Sequence, residues 1–180
     1  MADLSDEPVV YISVGSNLGD KLENCLSGIA ALTDSGKSTL LETSRFYRTS
    51  PVDYTEQDWF VNAAVKIRTT LAPLNLLDEL VAIQQRRGRK ADMIRFGPRV
   101  LDLDILMYGD RVIRTPRLEI PHPRMHKRAF VLQPICDIDP TIIHPALGKT
   151  VGDLLGRLND DDQRVVPLDN PPTPLQGGMP

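Results

Sequence analysis

Cysteine, histidine and tryptophan are scarce in this chain of 180 residues, which has two, three and one of them. Cys25 and Cys136 lie far apart without metal-ligand spacing, so a cysteine-built metal centre is ruled out, and both are expected to pack as small apolar residues. Nothing in that usage demands an oxidising compartment. Aromatic residues make up only 5% of the chain, and no strand carries the aromatic pattern on which single-stranded RNA stacks. No apolar run approaches the ~20 residues that cross a bilayer. The N-terminus is acidic and lacks a cationic start and an apolar stretch, so no signal peptide is expected. The net charge of −3 offers no global attraction to nucleic acid or to an anionic membrane. These absences set the expectation of a soluble cytoplasmic monomer that binds neither.

What the chain does have is local. Its length suits one domain with a proper core, and its 41% hydrophobic and 25% charged content is that of ordinary soluble proteins. From Gln84 to Arg99 six bases (Arg86, Arg87, Arg89, Lys90, Arg95, Arg99) face one acid, Asp92. A basic segment inside an acidic chain points to a small polyanionic ligand. The pattern of apolar residues predicts strands over 9–14, 39–48 and 60–69, and helices from Asp20 to about Leu32 and from Pro73 to about Arg87. A further strand is predicted at 101–107, turning at Gly109-Asp110 into a short hairpin at 111–113. A short helix is predicted at 125–132 and a helical turn at 151–158. From Asp160 onward acids, prolines and glycines suggest a loose tail, giving a domain over 1–160 and a tail over 161–180. The order strand, helix, strand, strand, helix, strand matches the split β-α-β sandwich of ferredoxin-like α+β folds, an antiparallel sheet with helices packed on it.

The most informative stretch runs from Arg95 to Tyr108. Leu101, Leu103 and Ile105 alternate with Asp102 and Asp104, a period of two that gives a strand with one apolar face. Both carboxylates share the other face, roughly 6.5 Å apart at ~3.3 Å rise per residue. Two like charges among apolar neighbours repel each other and resist desolvation. A divalent cation removes both problems, and hard oxygen ligands suit Mg²⁺. Arg99 and Arg95 lie just upstream, and carboxylates for metal beside arginines for phosphate is what phosphoryl transfer requires.

At this point the residues resemble a known family. The run 95–105 (Arg-Phe-Gly-Pro-Arg-Val-Leu-Asp-Leu-Asp-Ile) is similar to the signature of the 6-hydroxymethyl-7,8-dihydropterin pyrophosphokinases of folate biosynthesis. The runs 11–20, 46–49, 60–65 and 121–132 resemble further segments of that family, in order. The resemblance implies an enzyme that moves the β,γ-pyrophosphoryl group of ATP onto the pterin hydroxymethyl oxygen and releases AMP. It implies two Mg²⁺ on Asp102 and Asp104, and Arg89 and Arg99 as catalytic phosphate contacts. For the pterin it implies a stack between Phe60 and Phe130, edge recognition by Asn62, Thr49, Ser50 and Val52, and a lid residue at Phe96. For ATP it implies Gln84, Arg89, Arg99, Ile105, Arg117, His122 and Arg128.

Several positions depart from the family pattern. Gln84 stands where Glu is usual, and its amide can bond an adenosine group but carries no charge. Ala91 stands where many members have a second loop arginine, with Lys90 beside it. Phe96 replaces the more common Trp and loses an indole donor. Ser50 replaces a frequent Pro. The segment 88–98 combines glycine and charge without periodicity, and is expected to close over both substrates. Ser13, Gly15 and Asn17 read as turn chemistry, since Gly-x-Asn-x-Gly is not a phosphate-loop pattern. Two other classes compete with this reading: a single-stranded-RNA module on the same fold, and a metal-dependent nuclease using Asp102, Asp104 and the basic segment.

Overall fold

A computed structural model describes residues 7–88, 95, 97–158 and 161–169. The first strand, β1 (Val9–Ser16), is buried from Val10 onward and has a strand on either side of it in the sheet. The helix α1 (Lys21–Ala31) follows, capped as its sequence predicts: the Asp20 carboxylate accepts from the Glu23 backbone N–H at 3.1 Å. Then come β2 (Ser38–Thr43), β3 (Tyr47–Thr49), β4 (Phe60–Thr69), α2 (Pro73–Arg86, with Pro73 in its first turn) and β5 (Asp102–Tyr108). The later elements are β6 (Ile113–Arg114), β7 (Glu119–Ile120), a 3-10 turn (Met125–Lys127), α3 (Ala129–Ile138), β8 (Ile143–His144), β9 (Lys149–Thr150), α4 (Val151–Gly156) and β10 (Val165–Pro167).

The main sheet has the antiparallel order β10-β3-β4-β1-β5, with β2 also pairing with β4. Alternation then divides the core in two. Val10, Ile12 and Val14 of β1, Val61, Ala63, Val65 and Ile67 of β4, and Leu103 and Ile105 of β5 pack with Cys25, Ile29, Leu76, Leu80 and Ile83 of α1 and α2. Tyr11, Ala64, Leu106 and Met107 pack on the opposite face against Val131, Leu132 and Ile135 of α3 and Val151 and Leu154 of α4. The expected α+β architecture is therefore present, with helices on both faces of the sheet. No helix among the described residues is long and apolar enough to cross a membrane.

Three expectations need correction. The strand β6 pairs with β7, not with β5, so no hairpin forms across Gly109-Asp110. The helix expected to stop at Leu132 runs to Ile138 through Pro134. Burial of Leu132 and Ile135 on the sheet outweighs the backbone bond that proline forfeits. Part of the tail is ordered: Val165, Val166 and Pro167 pair with Thr49, Arg48 and Tyr47, which adds an edge strand to the sheet. Polar composition hid this strand, whose stability comes from the β3 backbone.

Candidate active site

Strand register assembles the site. On β1, Ser13 lies opposite Ala64 of β4 and Asp104 of β5, while Gly15 lies opposite Asn62 and Asp102. Asn62 in turn lies opposite Tyr47. One sheet face thus carries the row Asp102–Gly15–Asn62 and, beside it, Asp104–Ser13–Ala64. Two carboxylates stand on one side and an amide on the other, and the strand between them bears only a hydroxymethyl group and a hydrogen. That missing bulk is the floor of a cavity of about 250 Å³. Its walls include Thr49, Ser50, Val52, Asp53, Phe60, Asn62, Arg95, Gly97, Arg99, Asp102, Asp104, His122, Arg124, Arg128 and Phe130.

The glycine at 15 is required by contact. A Cβ built there would lie 2.5 Å from Asn62 Oδ1, so any larger residue displaces that amide. Asn62 Nδ2 donates to Thr49 Oγ1 at 2.6 Å, and both residues are buried. This bond sets the orientation of the amide. Ser50 also lines the cavity, but its hydroxyl is engaged with the tail: Ser50 Oγ donates to Asp162 O at 3.2 Å and accepts from Arg164 N at 2.9 Å.

On the carboxylate side, Arg99 Nη1 donates to Asp102 Oδ1 at 2.8 Å. Buried Asn17 fixes the backbone of that arginine, accepting from Arg99 N through Oδ1 at 2.7 Å and donating its own N–H to Arg99 O at 3.0 Å. Its amide also donates to Gln57 Oε1 at 2.8 Å, which links β1 to the segment between β3 and β4. Between the two aspartates, the Leu103 N–H donates inward to Gln84 Oε1 at 3.2 Å.

His122 is placed by an irregularity in β5. The β1–β5 register shifts so that Tyr11 faces Met107 while Ile12 faces Ile105. Leu106, skipped by that ladder, accepts the His122 N–H on its carbonyl at 2.9 Å. His122 Nδ1 accepts from Arg124 N at 3.2 Å, so the neutral ring carries its proton on Nε2. Burial, and then the Arg128 and Arg124 charges, push its pKa from 6.5 down to about 4 against the opposing pull of Asp102. The ring is a neutral N–H donor near pH 7. Arg128 lies 5.4 Å from the Phe130 ring centroid and donates to Asp53 Oδ2 at 2.9 Å.

The structure therefore brings together Thr49, Ser50, Val52, Phe60, Asn62, Arg99, Asp102, Asp104, His122, Arg128 and Phe130. Three residues expected at ATP do not line this cavity. The Ile105 side chain belongs to the core under α1 and α2, as the alternation in its own strand dictates. Gln84 is buried, its Nε2 donating to Leu80 O at 3.0 Å, so its amide braces β5 against α2. Arg117 is exposed and paired with Asp78 on α2. Arg89, Phe96 and the Lys90-Ala91 departure lie outside the described residues. Ser13 and Gly15, read as turn chemistry, prove to be the cavity floor. Asp53 and Arg124 were not among the expected site residues, although Arg124 lies within the run 121–132; the path of their segments brings both to the cavity.

The family model of 7,8-dihydro-6-hydroxymethylpterin-pyrophosphokinase matches residues 11–140. The chain belongs to that family. It is 42% identical over 135 residues to the 2-amino-4-hydroxy-6-hydroxymethyldihydropteridine pyrophosphokinase of Haemophilus influenzae, covering 75% of this chain and 84% of that protein. It is 39% identical over 161 residues to a folic acid synthesis protein of Pneumocystis carinii, covering 89% of this chain but 22% of that one. The corresponding share of a Dictyostelium discoideum folic acid synthesis protein is 21%, so the chain spans about a fifth of these longer relatives. Among solved structures, wild-type Plasmodium falciparum HPPK-DHPS with pteroate superposes with a TM-score of 0.66 at 16% identity, over 84% of this chain and 42% of that one. That likeness confirms the ferredoxin-like fold expected for the family.

Proposed function

We propose that the chain transfers the β,γ-pyrophosphoryl group of ATP to the hydroxymethyl oxygen of 6-hydroxymethyl-7,8-dihydropterin, releasing AMP. A bond forms between that oxygen and the β-phosphorus as the bond from phosphorus to the α-β bridging oxygen breaks. The hydroxyl proton leaves, and AMP departs with the bridging oxygen. One observation carries the reading: two carboxylates face an amide across a floor no larger than serine, in a cavity that Arg99, Arg128, Phe60 and Phe130 also line. A phosphate chain suits the first side and a flat heterocycle the second.

Asn62 and Thr49 offer edge partners to the pterin, and Phe60 and Phe130 offer it ring faces. The donor set fits magnesium, since two hard carboxylates share a strand face. Magnesium commonly keeps water and substrate phosphate oxygens beside one or two carboxylates, which is what this pair would supply. Asp102 and Asp104 would hold the metal, with two ions expected. Bound there, magnesium neutralises charge developing on the phosphoryl and bridging oxygens. Arg99 passes its donors from Asp102 to a phosphate oxygen, which suits its charged, forked head. Asp102 then orients the attacking hydroxyl or accepts its proton. His122 Nε2–H and Arg128 donate to further phosphate oxygens. Arg89 and Phe96 are assigned to phosphate and lid on the family pattern.

The test is to mix the protein with ATP, Mg²⁺ and the reduced pterin alcohol. AMP and pterin diphosphate should form in equal amounts, and Asp102→Ala should abolish both while leaving the circular dichroism spectrum unchanged. Undiminished turnover in that variant would reject the assignment of Asp102. Hydrolysis of nucleic acid without AMP formation would favour the nuclease class.

A further inference from the structure

One carboxylate in the cavity has no part in that reaction. Asp53 follows the segment 50–52 and directs Oδ2 at two guanidinium groups, Arg128 Nη2 at 2.9 Å and Arg124 Nη1 at 3.9 Å. Its backbone has φ 69°, the left-handed region in which glycine is at ease and an L-residue is strained. The Arg128 side chain is only 11% exposed. A charge so far out of water needs a counter-anion whether or not a ligand is present. Asp53 supplies it from the segment between β3 and β4, across the cavity from the 3-10 turn and α3.

We propose that Asp53 is an internal counter-anion that stands in for phosphate at Arg124 and Arg128, and that a bound polyphosphate must displace it. Asp53 is then an affinity-setting residue of this chain. The inference rests on the reading of the cavity as a polyphosphate site. Asp102 and Asp53 behave differently when ligand arrives. Asp102, on losing Arg99, gains the cation that accompanies the nucleotide. Asp53 gains nothing and returns to water, so its displacement is a net cost of binding.

Inorganic tripolyphosphate with Mg²⁺ reaches the arginines without any pterin chemistry, and its binding can be followed by calorimetry. Asp53→Asn should bind it about two- to fivefold more tightly, the scale of a partly exposed ion pair. The dissociation constant should also rise more steeply with salt in that variant. Its arginines shed solution anions on binding, where the native protein sheds its own carboxylate. A merely structural role for Asp53 would leave that slope unmoved. Asp53→Gly relieves the backbone and should show the same two effects. Tightening in Asp53→Gly alone would make the effect conformational and overturn the proposal. Unchanged binding in both variants, with Arg128→Ala weakened, would overturn it while leaving the polyphosphate reading intact. Unchanged binding in Arg128→Ala as well would remove the phosphate role of that arginine.

Discussion

At the scale of single residues, His122 shows how a cavity fixes a protonation state. Buried beside two arginines, the ring binds a proton far more weakly in the folded protein than in the unfolded chain. Its contribution to stability is complete above pH 6.5 and is lost as pH falls toward about 4, because below 6.5 the unfolded chain takes up the proton first. His126 and His144, also lowered by burial, act in the same direction. The readout is therefore a difference between two proteins. His122→Gln should lose less melting temperature between pH 7 and pH 4.5 than the native chain. Equal losses would place the acid sensitivity elsewhere. Gln84 makes a related point, since an amide there satisfies both the Leu80 carbonyl and the Leu103 N–H without burying a charge.

At the scale of elements, β1 matters for what it lacks. Gly15→Ala should push Asn62 off its bond to Thr49 and weaken binding of the reduced pterin by about tenfold or more, the consequence of an unsatisfied buried amide. ATP binding should change little, because Asp102 lies on the other side of that strand; titrating each substrate separately checks both statements. This level was partly legible in the sequence. The bounds of β4 were read correctly as Phe60–Thr69, and the alternation around Asp102 and Asp104 was correct because local periodicity and burial agree there. Ser13 and Gly15 were misread because a small residue reveals nothing until the strands on either side of it are known. The β6–β7 pairing and the full length of α3 were missed for the same reason: a distant partner decides them, not a local pattern. The meeting of Asp53 with Arg124 and Arg128 was not legible, since it spans a loop path that no spacing encodes.

At the scale of the whole molecule, the segment after α4 braces both walls of the cavity. Arg164 O accepts from Ser50 N at 3.0 Å, beside the β3–β10 pairing. Gln163 Oε1 accepts from Ala129 N at 2.8 Å and its Nε2 donates to Lys127 O at 2.9 Å. It thereby caps α3, whose own N-cap residue Arg128 makes no side-chain cap bond to the helix. Deleting residues 161–180 should lower the melting temperature and loosen both Ser50 and Phe130. Pterin affinity should fall further than nucleotide affinity, as isothermal titrations with each ligand would show. Equal affinities before and after deletion would mean that the brace is dispensable.

The same strand closes a hazard common to open sheets. Without β10, the outer backbone of Tyr47–Thr49 would present unpaired donors and acceptors, a template on which another chain could add a strand. Pro167 has no N–H to present on the new outer edge, while Leu168 carries the pairing on by donating its N–H to Phe46 O at 3.0 Å. A short edge strand carrying an imino acid thus works as a guard against fibrous growth, and its loss should register as turbidity on storage before it registers in turnover.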